Sequence, residues 1–418
     1  MRRNYIKKTL KNGVKLYLYL DKNMKECYVD YMIDYGSSGI WYDFYLDDKL
    51  YHVLPGCAHF LEHLLGEHSK YGNFYKYLAA KKYNRNGGTS PYVTHYYFRG
   101  VDDILESIKK MIHMVDDPVF TRENVEETKH AIIEETKRTR NNKISVLYCL
   151  IERNLYKDLT LYTESLSTIG DEKSTKAITY EMLKTCYDAF YYDENKTLLI
   201  AGPLDEKQIT DYVENVYSEL KPHKKRFKKY EYTNLDKIRK KEEIVHMSTN
   251  DDIVSIGFKS KRNRFTKQEV SYYLSFVFDT LFSDSSSFKK KLKDNNILVN
   301  INSYYRNFID DENYFFYYIV TVKDRKRFEK ELIKELKSLK CTKKDFDLFI
   351  KGEIGIEALS VDKKYNRFNR FSFSKKFTDD FDDIDFLKTL TFGKFLEFYK
   401  TLNFDDYSVG IISDNKEK

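Results

Sequence analysis

Apolar and polar positions alternate with period two along Val14-Lys15-Leu16-Tyr17-Leu18-Tyr19-Leu20. With the Asn12-Gly13 turn ahead of them, residues 6–20 predict a β-hairpin. A second strand is predicted from Glu26 to Asp34, ending at Gly36-Ser37. The spacing then becomes helical. Pro55-Gly56 opens a short apolar helix that Gly66 closes, and an aromatic helical stretch follows from Tyr71 to Lys82. Asn86-Gly87-Gly88-Thr89-Ser90-Pro91 leads into a strand over Tyr92–Phe98; its proline predicts a sheet edge, and its glycines admit another backbone closely. Helices are predicted at 102–116, 122–141, 143–157, 174–191 and 205–220, with a strand at Thr197–Gly202 before the last.

The second half repeats the first in outline. A strand at 252–259 precedes a helix at 266–283, and strands follow at 297–306 and 313–323. Helices at 325–339, 343–359 and 385–402 then lead to a last strand at 407–412. Strands and helices mix without strict β-α-β alternation, which predicts an α+β fold, and the repetition predicts a duplicated unit. The expected domains are residues 1–220, a basic linker at 221–243, and 244–418 without a metal site. The linker reads as a solvated connection. A polyanion-binding patch is the other reading, but aromatic platforms are not regularly interleaved with its charges.

The chemistry lies in Gly56-Cys57-Ala58-His59-Phe60-Leu61-Glu62-His63. Positions three and four apart share a helix face, so His59, Glu62 and His63 project together. Two neutral imidazoles one turn apart suit Zn²⁺, and a carboxylate beside them can take a proton from a water that the metal polarises. This is H-x-x-E-H, the inverted zincin motif. Two surface histidines beside a solvated glutamate would give the same letters. The apolar flanks Ala58, Phe60, Leu61, Leu64 and Leu65 argue against that. Zinc usually takes a third protein ligand. On the helix from Glu123 to Arg138, Thr128, Ile132 and Glu135 fall on one stripe, so Glu135 is the candidate; Glu134 lies one residue round, toward solvent.

Composition changes little. The 418 residues carry 72 basic and 65 acidic side chains, a net +7 that demands no nucleic acid. Five dispersed cysteines without a C-x-x-C pair imply free thiols, no apolar window is long enough to span a membrane, and the basic amino terminus leads into no signal sequence. A cytoplasmic location is expected.

The motif resembles the G-x-A-H-F-x-E-H signature of the pitrilysin, insulysin and mitochondrial processing peptidase family of inverted zinc metallopeptidases. Other segments are similar to the family too: Leu10-Lys11-Asn12-Gly13, Gly36-Ser37, Asn86-Gly87-Gly88-Thr89-Ser90 with Thr94 and Tyr96, Asp117-Pro118-Val119-Phe120, and Tyr191-Tyr192-Asp193-Glu194-Asn195. The resemblance implies two homologous α/β sandwich halves, each a mixed sheet covered by helices, closing around a chamber. It implies one Zn²⁺ per chain on His59, His63 and Glu135, with Glu62 as general base. It also implies a peptide substrate held along Asn86, Gly87, Gly88 and Thr89 as an added strand. The family's auxiliary glutamate falls on Thr128, so that role is absent or taken by Glu127. Lys293 and Asn300 stand where the second half often supplies Arg and Tyr, and neither side chain can do the same work. The chain thus resembles the zinc-bearing subunit of bacterial two-subunit members. The expected function is endopeptidase cleavage of short or unfolded peptides, as a heterodimer with a paralogue carrying Arg/Tyr or as a homodimer. A non-catalytic scaffold subunit is the alternative.

Overall fold

Tyr31 and Ile33 on one face of a strand, and Tyr28, Asp30 and Met32 on the other, are all buried, which only an interior strand of a covered sheet allows. That strand sits within a computed structural model describing residues 5–139, 142–156, 170–232, 235–362, 368 and 383–414. The chain divides into two compact units, Met1–Arg140 with Tyr162–Glu231 and Asn141–Leu161 with Tyr232–Lys418.

The first unit has strands β1 (Tyr5–Thr9), β2 (Lys15–Leu20), β3 (Cys27–Ile33), β4 (Asp43–Leu46), β5 (Lys49–His52), β6 (Asn84–Thr89), β7 (Thr94–Gly100), β8 (Lys196–Gly202) and β9 (Phe227–Lys229). Its main sheet runs β1-β2-β8-β3-β7-β6, with only β2 and β8 parallel. A small sheet, β5-β4-β9, stands apart from it. Helices α1 (Cys57–Glu67), α2 (Phe74–Ala80), α3 (Ile104–Asp116), α4 (Arg122–Thr139), α5 (Lys143–Leu155), α6 (Glu172–Ala177), α7 (Tyr180–Phe190) and α8 (Glu206–Ser218) follow in chain order. All but α5 belong to this unit. Phe60 and Leu64 of α1, Ile108 and Met111 of α3 and Val213 of α8 join Val29, Tyr31 and Phe98 of the sheet in one apolar core.

The second unit has β10 (Glu242–His246), β11 (Asp252–Lys261), β12 (Leu298–Phe308), β13 (Asn313–Val322) and β14 (Tyr407–Ser413) in the order β10-β14-β11-β13-β12. Again only one pair, β10 with β14, is parallel. Besides α5, the described helices of this unit are α9 (Lys267–Phe282), α10 (Ser287–Asp294), α11 (Arg325–Lys337), α12 (Lys343–Asp362), a short helix at Ile384–Leu387 and one at Phe392–Tyr399. Leaving β1 aside, the two main sheets share one strand order and one set of directions. The expected α+β architecture with two homologous halves is what the chain adopts.

Several expectations need correction. Residues 142–156 were expected in the first half but group with the second unit. The reason is a seat on its sheet. Gly257 and Gly410, with Ser255 and Ser408, leave one face low, and a Cβ at Gly257 would stand 3.1–3.2 Å from Leu155 and Ile151 of α5. The stretch 221–243 is not only a linker, because β9 pairs with β4 and β10 begins at Glu242. Its charges also have partners: Arg226 pairs with Asp47, and the Arg239 guanidinium donates to Asn154 Oδ1 at 3.0 Å. The helix expected over 174–191 breaks at Ile178, where Thr179 caps a new start by accepting from Met182 N–H. The one expected over 385–402 breaks likewise before Thr391. The sheet edge is β6 rather than the strand after Pro91, since β7 pairs on both sides.

Candidate metal centre

Gly56 sits at φ 98°, a left-handed conformation that glycine adopts without penalty, and lets the chain turn straight into α1. Nearly all of α1 is buried, so the histidine face cannot turn to bulk water. His59 and Glu62 are buried and His63 is half-buried. On α4, Val125, Thr128 and Ile132 form the buried stripe, and Glu135 continues it at the edge of a cavity of about 570 Å³. Glu134 points to solvent and pairs with Lys137.

His59 Nε2 and His63 Nε2 lie 3.2 Å apart. Glu135 Oε2 is 3.2 Å from His63 Nε2, and Oε1 is 3.7 Å from His59 Nε2. Donors bound about 2.0–2.1 Å from one tetrahedral Zn²⁺ stand roughly 3.3 Å from each other. A His₂Glu set at this spacing therefore fits zinc, and among the described residues this is the one such cluster. Outer contacts fix the rings. His63 Nδ1 donates to Glu67 Oε1 at 3.3 Å, which directs Nε2 toward the other two donors. Thr128 Oγ1 and His68 Nε2, 3.1 Å apart, tie α4 to the end of α1.

The electrostatics divide the two histidines. Burial, helped by His63, pushes His59 down to about 4, so its ring is neutral. Burial also opposes charge on His63, but its hydrogen bonds to Glu135 and Glu67 and the nearby carboxylates outweigh it and lift it to about 10. Burial raises Glu62 above the usual carboxylate range, and the Tyr75 hydroxyl donates to Glu62 Oε1 at 3.1 Å.

Strand β6 closes the site. It pairs only with β7 among the described residues, and its outer side is exposed or half-buried. Asn86, Gly87, Gly88 and Thr89 line the same cavity as His59, Glu62, His63 and Glu135. Neighbours on opposite faces crowd both glycines. A Cβ at Gly87 would collide with the Glu62 carboxylate and the Tyr75 hydroxyl, and one at Gly88 would come 3.0 Å from His95 Nε2. His95 is itself held by buried Asp30, with Nδ1 at 3.2 Å from Oδ2.

Thr128 is the fully buried residue of its turn and Glu127 is exposed, so Glu127 does not reach the centre. Lys293, on α10, and Asn300, on β12, are both exposed on the second unit. Glu67 and Tyr75 were not anticipated. Glu67 had a signal in its place one turn after His63, whereas nothing in the sequence ties Tyr75 to Glu62.

The family model described as Insulinase (Peptidase family M16) matches residues 51–169, and the one described as Peptidase M16 inactive domain matches residues 177–350. A curated relative, the uncharacterized zinc protease YmfH of Bacillus subtilis (strain 168), is 28% identical over 284 residues, 66% of this chain and 65% of the relative. The chain thus spans somewhat less than two thirds of that relative's length. Among solved structures, an M16-like peptidase from Alicyclobacillus acidocaldarius superposes with TM-score 0.85 at 20% identity, covering 99% of this chain and 98% of the other. A protease from Helicobacter pylori gives 0.77 at 18% identity, covering 98% and 99%. No helix among the described residues is long and apolar enough to cross a membrane.

Proposed function

The chain belongs to the insulinase family of peptidases, M16, and on that premise we propose that it is a zinc-dependent endopeptidase acting on short or unfolded peptides. In this reading it is the catalytic subunit of a two-subunit processing peptidase. The observation that carries the proposal is the convergence of His59, His63 and Glu135 at zinc-ligand spacing with Glu62 on the same helix face. A Zn²⁺ ion held there supplies Lewis acidity toward a peptide carbonyl and acidifies water. Glu62 takes a proton from the attacking water and passes it to the departing amine, while the carbonyl carbon gains oxygen and loses nitrogen. Tyr75 fixes the orientation of Glu62 by its hydrogen bond. The peptide adds as a strand along Asn86–Thr89, where main-chain pairing gives affinity with little sequence demand. Its oxyanion needs a further donor; with Lys293 and Asn300 at the places of the family's Arg and Tyr, a partner carrying those two residues completes the site.

The test is cleavage of peptides by purified, zinc-quantified protein, alone and mixed with such a paralogue. We expect one zinc per chain and turnover in the mixture. Glu62→Gln should keep its zinc and lose about a thousandfold in rate. The exposed Lys293 and Asn300 favour a second reading, a non-catalytic partner subunit, and in that reading any turnover of a mixture is indifferent to Glu62→Gln. Protein without zinc would sink the metallopeptidase.

A further inference from the structure

The two units differ beside one equivalent pair of helices. Helix α3 follows β7 and α11 follows β13; each runs 13 residues from an Asp N-cap, Asp103 or Asp324. Counted from their starts, Leu105, Lys109, Ile112, His113 and Asp116 stand in register with Lys326, Lys330, Ile333, Lys334 and Lys337. In the first unit this stripe is covered by α8. Tyr212 donates to the Leu105 carbonyl at 2.9 Å, Glu219 pairs with Lys109 at 2.8 Å, and His113 Nε2 lies 3.7 Å from Glu219. In the second unit the matching stripe lines an open groove of about 790 Å³, floored by half-buried Ile333 and Tyr407. Its wall carries four exposed lysines and one carboxylate, Glu329, which accepts from the Tyr407 hydroxyl at 2.8 Å. The end pair is engaged, Lys326 with Glu242 and Lys337 with Asp405; Lys330 and Lys334 lie between them. Behind the floor, the Lys241 ammonium lies 3.0 Å from the centroid of the Tyr407 ring.

We propose that this groove docks an acidic amphipathic helix of a second polypeptide, seated on α11 as α8 is seated on α3. The chemistry of the occupant follows from the wall and from the precedent inside the chain. α8 presents Ile209, Val213 and Val216 to the core; Glu219, just beyond its end, is the carboxylate that meets Lys109 of α3, while Glu206 pairs with Lys8 and Glu214 accepts from the Lys11 amide. The lysine row selects such a helix over a basic or purely apolar one. No catalytic step enters the argument, so the docking stands or falls separately from the peptidase reading.

The probe is a labelled synthetic peptide of residues 205–219, titrated into the full zinc-loaded chain while anisotropy and hydrogen exchange are followed. Binding should saturate, weaken with salt, and slow amide exchange over 326–338. Lys330→Glu with Lys334→Glu should cost about tenfold in affinity. A peptide carrying Asp211→Lys, Glu214→Lys and Glu219→Lys should recover it on that variant, which a misfolded protein would not permit. Unsaturable binding, affinity indifferent to the lysine pair, or protection away from α11 would overturn the proposal. Concentration-dependent protection of α11 without peptide would replace the separate partner by a second copy of this chain.

Discussion

The two units use one sheet plan for different ends. In the first, the helix after β3 is α1, with His59, Glu62 and His63 on one face; in the second, the helix after β11 is α9, whose Val270, Tyr273, Leu274 and Val277 are all buried. Tyr273 and Phe276 pack tilted or edge-on among Phe346, Phe395 and Phe398, so rings fill most of that face, and the buried carboxylate of α9, Glu269, is paired with Lys394. The edge strands differ too. β6 spans six residues with two glycines, while β12 spans eleven, with register shifts and side chains throughout. Neither sheet nor strand order makes a metal centre. Polar residues on α1, a carboxylate on α4 and an edge strand with two glycines make up the candidate centre of the first unit.

Removing a ligand should therefore have the largest effect and stay within one unit. His63→Ala or Glu135→Ala should take bound zinc from one per chain to near zero, because two remaining donors do not hold the ion. The second unit's unfolding transition should be unmoved. Metal analysis with calorimetry checks both, and a shift in both transitions would mean that the centre is not local to the first unit. Gly87→Ala tests the edge strand. Its methyl must displace Glu62 or Tyr75, and misplacing a catalytic group by about 1 Å costs roughly a hundredfold in rate. Zinc content should persist; kcat/KM falling with zinc retained separates the strand's role from that of the ligands.

Much of the centre was legible because it is local. H-x-x-E-H places three side chains by helix geometry alone, and the stripe through Thr128 and Ile132 points to Glu135 without knowledge of the fold. The strand order was not legible, since alternation marks a strand but not its neighbours. The same limit hid the allegiance of α5. Its amphipathic pattern announces a buried face, yet which sheet receives it depends on Gly257 and Gly410, distant in sequence and unremarkable singly. Short strands such as β9 and β10 escaped notice because charged residues dominate them, and pairing with β4 and β14 overrides that composition. Tyr75 escaped because its contact with Glu62 crosses from one helix to another.

The seat of α5 offers the next test. Gly257→Ala puts a methyl 3.1–3.2 Å from Leu155 and Ile151, side chains already packed, and overpacking of this kind costs about 1–3 kcal/mol. The loss should appear in the second unit's transition, with zinc content unchanged. The opposite pattern would return α5 to the first unit.

The smallest expected effect concerns the charge that fastens α5 to β10. Arg153 on α5 and Glu243 on β10 pair at 2.8 Å, and Lys240 approaches Glu243 from the other side at 3.2 Å. Partial burial works against the carboxylate's charge, but Arg153, Asn154 and Lys240 outweigh it and hold Glu243 below the usual glutamate range. A carboxyl whose folded value is depressed binds its proton more readily when unfolded. Its contribution to stability is therefore full above the unfolded glutamate value, about 4.3, and drains away as pH falls through the folded one. Glu243→Gln removes that dependence. Scanning the second unit's melting temperature from pH 6 to pH 3 should give a shallower acid decline in the variant than in the parent, with the two curves converging at the acid end. The first unit's transition should keep the same pH dependence in both. Parallel curves throughout would mean that the pair contributes by shape and not by charge, leaving the glycine seat alone to hold α5 on the second sheet.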